Sequence, residues 1–463
     1  MIGLGTMGRN FLLNIAEHGI SGVGYDLDAG KRDLLLEEGK DMPLDVGIDL
    51  ADFIAKLESP RNIMLLVPAG PIVDKVIADL VPHLEKDDLI IDGGNSHFTD
   101  TDRRIAELSA KNIGFMGIGV SGGEEGARHG ASIMPGGRRD FYDRIETTLQ
   151  AVSAKVNGEP CVAYMGSGSA GNFVKMVHNG IEYGMMQLLA ETYDFMQRAL
   201  RMANTEMHRT FTDWNGGELN SFLVEITAEV LRKTDPETGN PLVSMILDTA
   251  GQKGTGKWTS QAAMDHGVPI PTIDAAVSMR QISSQNVVRA NVAAKFSGMS
   301  TTADQSHSRT SVAELKDALY SAFVLTYAQG MTLLQKASFE SSYGLDLAEI
   351  ARIWRGGCII RSKLLETIRA AYTAEPSLEN LMLDKTFADL LNSRISRLRK
   401  VVVAFNENGI PAACFSSALA YFDAFRSERL PANLIQAQRD YFGAHTYQRI
   451  DKEGTFHTDD WEK

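Results

Sequence analysis

Hydrophobic positions along this chain follow two rhythms in succession. In the first third, short apolar runs of strand length alternate with helical stretches. Gly22 to Tyr25, Asn62 to Val67 (NIMLLV), Leu89 to Asp92 and Ile113 to Val120 read as strands. The last three end in turns of small residues, Pro68-Ala69-Gly70, Gly93-Gly94-Asn95-Ser96 and Ser121-Gly122-Gly123-Glu124-Glu125-Gly126. A helix is expected after Gly70, through Leu84. From about residue 170 the strand rhythm stops, and helical patterns run over 171–202, 219–233, 271–298, 312–341, 360–375 and 382–407. A faint repeat runs through this half: Gly184-Met-Met-Gln-Leu-Leu leads to Trp214-Asn-Gly-Gly217, and Gly330-Met-Thr-Leu-Leu leads to Trp354-Arg-Gly-Gly357, as an internal duplication would. The pattern divides the chain into an α/β domain over 1–170, a large all-α domain over 171–429 and a C-terminal tail over 430–463. The tail is too short for a core of its own and must dock on this subunit or another.

The α/β half opens on Gly3-x-Gly5-Thr6-Met7-Gly8, ahead of an apolar helix from Phe11 to Ala16. A second strand follows at once and ends in Asp26, roughly 20 residues past the glycines, where a carboxylate reaches an adenosine ribose. Glycines at such a turn let the backbone approach a pyrophosphate at a helix N-terminus. The domain is therefore expected to be Rossmann-like, with Gly3, Gly5, Thr6, Met7, Gly8, Asp26, Val67, Ala69 and Asn95 around a dinucleotide. A glycine-rich βα turn without a ligand is the plainer alternative. Only Met1 and Ile2 precede the first glycine, so the strand expected to be central is cut short, in the chain itself or in the sequence as given. The other glycine-rich turns also follow strands, at the end where open α/β sheets form their cleft.

Phe173 to Gly184 (FVKMVHNGIEYG) carries the most informative chemistry. It reads as a helix, and Lys175, His178, Asn179 and Glu182 fall at i, i+3, i+4 and i+7, on one face. The flanking Phe173, Val174, Met176, Val177, Ile181 and Met185 are too apolar for an exposed helix, so the polar stripe needs partners or a ligand. A lysine and a glutamate two turns apart could be a base and an acid acting on one small molecule. A buried salt bridge with a capping histidine would account for an isolated stripe equally well. Further on, Gly251-Gln-Lys253-Gly-Thr255-Gly-Lys257-Trp258-Thr259 places two lysines and two threonines on a glycine-rich loop, a candidate phosphate clamp without P-loop spacing. Arg280 follows on a helix, and the tail segment from Leu434 to His445 carries Arg439 and His445.

Composition narrows the partners. The 463 residues, 44% hydrophobic and 23% charged, are ordinary for two or three globular domains, and no apolar run reaches transmembrane length. No basic segment followed by an apolar stretch opens the chain, and three cysteines without metal-like spacing suit a reducing, cytoplasmic setting. Nothing calls for a metal. A net charge of −13 argues against nucleic acid or an anionic membrane, and an anionic substrate would need a local cluster of positive groups.

Together these segments resemble the 6-phosphogluconate dehydrogenase family, decarboxylating enzymes of the pentose phosphate pathway, nearly end to end. IDGGNS (91–96), VSGGEEGARHG (120–130), FVKMVHNGIEYG (173–184), GQKGTGKWT (251–259), WRGGCIIRS (354–362) and LPANLIQAQRDYFGAHTY (430–447) carry the likeness. The resemblance implies a homodimer whose tails reach into the partner subunit. It places the catalytic lysine at Lys175, the acid at Glu182, and supporting groups at His178 and Asn179. Asn95, Ser121, Gly122 and Gly123 would hold the sugar acid. Tyr183, Lys253, Thr255 and Arg280 would surround the phosphate, with Arg439 and His445 arriving from the other subunit.

Two departures concern the cofactor. The family usually has Asn-Arg-Thr where this chain has Asp26-Leu27-Asp28, so the arginine that grips the 2′-phosphate of NADP is replaced beside two carboxylates. Pro68 stands where a lysine is usual. Lys31 and Arg32 could compensate, but NAD is favoured. A related β-hydroxyacid dehydrogenase acting on an unphosphorylated acid is the nearest rival; it would share the glycine fingerprint and Lys175 but would not need Lys253, Arg280, Arg439 or His445. A non-catalytic nucleotide-binding scaffold is the alternative from another class, and intact Lys175 and Glu182 speak against it.

Overall fold

The computed structural model describes residues 1–297 and 310–461. Besides a short antiparallel pair, Lys155–Val156 with Glu159–Pro160, six strands run through the first half: β1 (Gly22–Gly24), β2 (Leu44–Val46), β3 (Asn62–Leu65), β4 (Leu89–Asp92), β5 (Gly114–Ser121) and β6 (Ser132–Gly136). β1 pairs parallel with β2, β3 to β5 are parallel, and β6 returns antiparallel to β5. The shortened central strand proves to be one residue wide. Ile2 bridges Tyr25 on one side and Leu65 on the other, giving the order β2–β1–Ile2–β3–β4–β5–β6. β3 to β5 were legible because Ile63, Leu65, Leu89, Ile90, Phe115, Met116 and Ile118 are buried, as strands covered on both faces must be. β2 and β6 were not expected: β2 has three partly exposed residues, and β6 contains Pro135 and Gly136, both poor strand formers.

The second half is helical, as the pattern requires. Its axis is a 29-residue helix, Ala170–Arg198, packed along a 30-residue helix, Val312–Ser341. The glycines of the sequence repeat lie where these two helices meet. A Cβ on Gly184 would lie 2.7 Å from Thr326 Cγ2, and one on Gly330 would lie 2.5 Å from Ile181 Cδ1. Two expectations need correction. The 271–298 pattern is two helices, Pro271–Ser283 and Asn286–Lys295, broken at Ser284 and Gln285, and its last position lies outside the described residues. The glycine-rich segment at 251–259 is a loop only as far as Gly254, because a helix runs from Thr255 to Asp265. The tail holds a helix, Ala432–Gly443, and a short antiparallel pair, Tyr447–Gln448 with Thr455–Phe456. Among the described residues no helix is long and apolar enough to cross a membrane.

The two halves join where β5 lies against the Ala170–Arg198 helix. A Cβ on Gly117 would run into Asn172 Oδ1, and one on Gly119 would meet Lys175 Cβ and lie 3.0 Å from the Gly171 carbonyl. Gly171 in turn would place a Cβ 2.5 Å from the Gly117 carbonyl. Helix and strand therefore touch backbone to backbone, which fixes the root of the Lys175 side chain. Gly119→Ala should cost about 1–3 kcal/mol through overpacking. Its calorimetric melting temperature should fall below that of Gly251→Ala, a position with no atom within 4 Å of the added Cβ. Equal melting points would show that the joint has slack.

Candidate active site

At the glycine fingerprint, Gly3 has φ 92°, and a Cβ there would lie 2.6 Å from the Leu66 carbonyl. A Cβ on Gly8 would strike the Gly3 carbonyl, while around Gly5 the corresponding space is open. Gly5 precedes the Thr6–Glu17 helix with no side-chain cap, so the first amides of that helix face outward. This cradle fits a dinucleotide pyrophosphate. Around it Thr6, Ala69 and Asn95 are exposed, and Met7 and Val67 are half-buried.

At the adenosine edge, Asp26 Oδ2 accepts from the Leu4 amide at 2.8 Å and Oδ1 from the Asp28 amide at 3.0 Å. Lys31 Nζ is 3.4 Å from Asp26 Oδ2, and Arg32 Nη1 donates to the Asp26 carbonyl at 2.5 Å. Burial opposes the charge on Asp26, but these donors outweigh it and hold the carboxyl below the usual aspartate range. Asp28 caps the Ala29–Glu38 helix through the Gly30 amide, and Leu27 is 86% exposed.

The predicted polar stripe is buried. Lys175 and His178 are inaccessible or nearly so, and the Glu182 side chain keeps 19% exposure. Asn179 Oδ1 accepts from Lys175 Nζ at 2.9 Å and from His178 Nδ1 at 3.0 Å. Because that oxygen can only accept, His178 must carry its proton on Nδ1. Its Nε2 is then free to accept from Ser121 Oγ, 3.4 Å away at the end of β5. Glu182 Oε2 lies 3.9 Å from His178 Nδ1 and has no hydrogen bond among the described residues. Burial pulls the Lys175 amine below the ordinary lysine range and pushes the Glu182 carboxyl up, against their mutual attraction. Burial, with Lys175 nearby, also depresses His178 well below the usual imidazole value. The environment thus shifts the amine, the imidazole and the carboxyl each toward its neutral form. Gly122 (φ 120°) and Gly123 (φ 62°) take backbone conformations that suit glycine and lead from Ser121 into the Gly123–His129 helix.

The phosphate-end candidates converge in part. Asn179 Nδ2 donates to Thr255 Oγ1 at 3.2 Å, which ties the 251–254 loop to the stripe. Arg280 stacks 3.6 Å over the Tyr183 ring and donates to the Gly251 carbonyl at 2.8 Å. Lys253 is exposed on the same loop. Thr259 is not available to a ligand, because its buried hydroxyl bonds the Met176 and Thr255 carbonyls. Arg439 and His445 are exposed on the tail and make no bond to this site among the described residues. Arg104 was not singled out in the sequence. It is buried beneath the turns that carry Gly70 and Asn95, bonding Asp74, Asp92, Ser96 and the Gly70 carbonyl. A buried arginine in TDTDRRIAEL has no local signature, since that segment reads as an ordinary amphipathic helix.

A glycine turn shaped for a dinucleotide pyrophosphate, and a buried lysine–glutamate pair at the sheet-to-helix joint, are what a nicotinamide-dependent oxidoreductase requires. Two family models agree: "NAD binding domain of 6-phosphogluconate dehydrogenase" over residues 1–166 and "6-phosphogluconate dehydrogenase, C-terminal domain" over 171–461. The chain belongs to the 6-phosphogluconate dehydrogenase family. It is 48% identical over 463 residues to the NADP(+)-dependent, decarboxylating enzyme of Bacillus subtilis, covering 100% of this chain and 98% of that one. It is 48% identical over 450 residues to the decarboxylating enzyme 2 of Saccharomyces cerevisiae, covering 97% and 91%. Among solved structures, the Plasmodium falciparum 6-phosphogluconate dehydrogenase, described apo, with NADP+ and with 6-phosphogluconate, superposes with a TM-score of 0.96 at 44% identity, covering 99% and 98%.

Selective 15N-histidine labelling tests the stripe. His178 should show the neutral, Nδ1-protonated tautomer at pH 6, because burial and Lys175 disfavour the imidazolium. A protonated ring at that pH would overturn the arrangement.

Proposed function

We propose that this chain catalyses oxidative decarboxylation of 6-phosphogluconate to ribulose 5-phosphate and carbon dioxide, with a nicotinamide dinucleotide as oxidant. The carrying observation is that Lys175 and Glu182 share one buried helix face, each in an environment favouring its neutral form. A nicotinamide dinucleotide held at the Gly3–Gly8 turn would supply the hydride acceptor. Neutral Lys175 takes the C3 hydroxyl proton as the C3–H bond breaks, giving the 3-keto acid. Protonated Lys175 then stabilises the enolate oxygen as the C1 carboxylate leaves as carbon dioxide. Protonated Glu182 delivers its proton to the carbon that becomes C1 of ribulose 5-phosphate. Asn179 Oδ1 aims the amine, and the tautomer of His178 lets Nε2 accept from the Ser121 hydroxyl, leaving the Ser121 oxygen to accept from a hydroxyl of the sugar acid.

Arg280, Lys253, Thr255 and Tyr183 form the phosphate end in this reading, completed by Arg439 and His445 of a second copy in a homodimer. The exposure of Leu434, Ile435, Tyr441 and Phe442 supports a tail that docks elsewhere. The domain limits follow the same division: cofactor over 1–170, substrate and dimer contacts over 171–429, and the docking tail beyond.

Lys175→Met should lower turnover at least about a hundredfold while leaving cofactor binding intact. Glu182→Gln should slow both turnover and the incorporation of solvent deuterium at C1 of ribulose 5-phosphate. Near-normal turnover of the lysine variant, followed as carbon dioxide release, would remove Lys175 from the chemistry.

For the cofactor, NAD is favoured over NADP because Asp26 and Asp28 stand near a 2′-phosphate and Leu27 offers no charge. The Bacillus subtilis relative is NADP(+)-dependent by name, so this preference would set the chain apart. A contact cost on the order of 1–2 kcal/mol predicts roughly a tenfold higher kcat/KM with NAD. Asp26→Asn, Leu27→Arg and Asp28→Thr combined should reverse the order. Preference for NADP in the parent enzyme would mean that Lys31 and Arg32, both gathered at Asp26, hold the 2′-phosphate.

A further inference from the structure

The tail has almost no apolar core. Of the Ala432–Gly443 helix, only Asp440 is fully buried, while Leu434, Ile435 and Phe442 are exposed. Around that carboxylate the tail closes. Oδ1 accepts from the Thr446 amide and from His457 Nδ1, each at 2.8 Å. Oδ2 accepts from the Thr458 amide at 3.0 Å and from Trp461 Nε1 at 3.1 Å. Four donors from separate turns meet on one charge, and they hold the carboxyl down at about 2 although burial pushes the other way.

His445 stands in a bend that costs energy to maintain. Its neighbours Ala444 and Thr446 have φ of 49° and 60°, the left-handed region that a β-branched threonine avoids. Three contacts impose the bend: the Thr446 amide on Asp440, the Ala444 amide on the Asp440 carbonyl at 2.9 Å, and Gln436 Nε2 on the Thr446 carbonyl at 2.6 Å. Gln436 Oε1 also accepts from Arg439 Nη1 at 3.1 Å. Both tail residues assigned to the phosphate therefore hang on one scaffold, centred on Asp440 and Gln436.

We propose that Asp440 is a positioning residue for phosphate recognition, fixing the bend that presents His445 beside Arg439 to the substrate in the neighbouring subunit. This rests on the reading that the tail completes a phosphate site. Asp440 does not touch substrate; it acts through the Ala444–Thr446 backbone. Preorganisation matters here because an isolated tail must otherwise order its ligands at the moment of binding.

The experiment compares two substrates in the full-length enzyme, 6-phosphogluconate and gluconate, the same acid without the phosphate. Asp440→Asn keeps the shape but turns one acceptor into a donor facing donors. It should lower kcat/KM for 6-phosphogluconate at least about tenfold, mostly through KM, and leave kcat/KM for gluconate and the dissociation constant for the dinucleotide unchanged. Equal losses on both substrates would make Asp440 merely structural, and no loss on either would remove it. If Asp440→Asn does not fold, His457→Ala deletes a single donor and should show a smaller loss with the same selectivity; a non-selective loss overturns the proposal. Arg439→Ala run alongside separates the two readings. If it leaves 6-phosphogluconate kinetics unchanged, the tail is not a phosphate ligand at all, whatever Asp440 does.

Discussion

Burying the Lys175 amine on an otherwise apolar helix is unfavourable unless something meets it, and most of the site answers that demand. Asn179 Oδ1 accepts its hydrogen bond. That acceptor is shared with His178, which fixes the imidazole tautomer and leaves Nε2 for Ser121. Asn179 Nδ2 is spent on Thr255, which anchors the start of the Thr255–Asp265 helix. Gly117 and Gly119 on β5 leave room for the helix to press the root of the lysine against the sheet. The same desolvation that makes the burial costly lowers the lysine pKa, so the penalty to stability and the shift toward a neutral amine have one origin.

Recognition of an anionic substrate by a chain of net charge −13 depends on which cations stay unneutralised. Many arginines here are matched by carboxylates: Arg104 with Asp74 and Asp92, Arg128 with Glu17, Arg355 with Glu159 and Glu366. Arg280 is held differently. Its bonds go to the Gly251 carbonyl and the Met186 sulfur, and its face lies on the Tyr183 ring. Arg439 likewise bonds the neutral Gln436 side chain, with no ion pair among the described residues. Both guanidinium groups are oriented without spending their charge, which a phosphate-binding arginine requires. At the other end of the cleft Lys31 is partly spent on Asp26.

Elements whose local pattern and tertiary role agree were legible in the sequence. β3, β4 and β5 are buried on both faces and read as unbroken apolar runs, and the Ala170–Arg198 helix betrays its site by polar residues at helical spacing on an apolar background. Where context overrides composition, the reading failed. Thr255-Gly-Lys-Trp-Thr reads as the continuation of a glycine-rich loop, yet Gly254 in the left-handed region starts a helix that Gly256 packs against the Tyr183 ring. The Ser284–Gln285 break interrupts a pattern that stays periodic through it. Arg104 was invisible because its partners, Asp74, Asp92, Ser96 and Gly70, lie in other elements and meet only in the folded sheet.

That arginine exposes how the two halves keep register. The Phe98–Ser109 helix reaches toward the cofactor loops through Arg104, bonding the Gly70 carbonyl and, through Asp92 and Ser96, the turn that carries Asn95. From the same helix Thr101 Oγ1 donates to Asn172 Oδ1 at 3.0 Å, and Asp102 accepts from the Ser169 amide and hydroxyl. Ser169 and Asn172 are the first turn of the helix that bears Lys175. One three-turn helix therefore sets the distance between the Gly70 and Asn95 turns and the helix that bears Lys175. Hydride transfer tolerates little error in that distance, since a misplacement of about 1 Å can cost on the order of a hundredfold. A charged hub buried in the first domain is hard to justify for stability alone, because an apolar replacement often serves as well. As the part that holds two loops and a helix to one geometry, it has a reason to be ionic: directional bonds fix position where apolar contacts would let it drift.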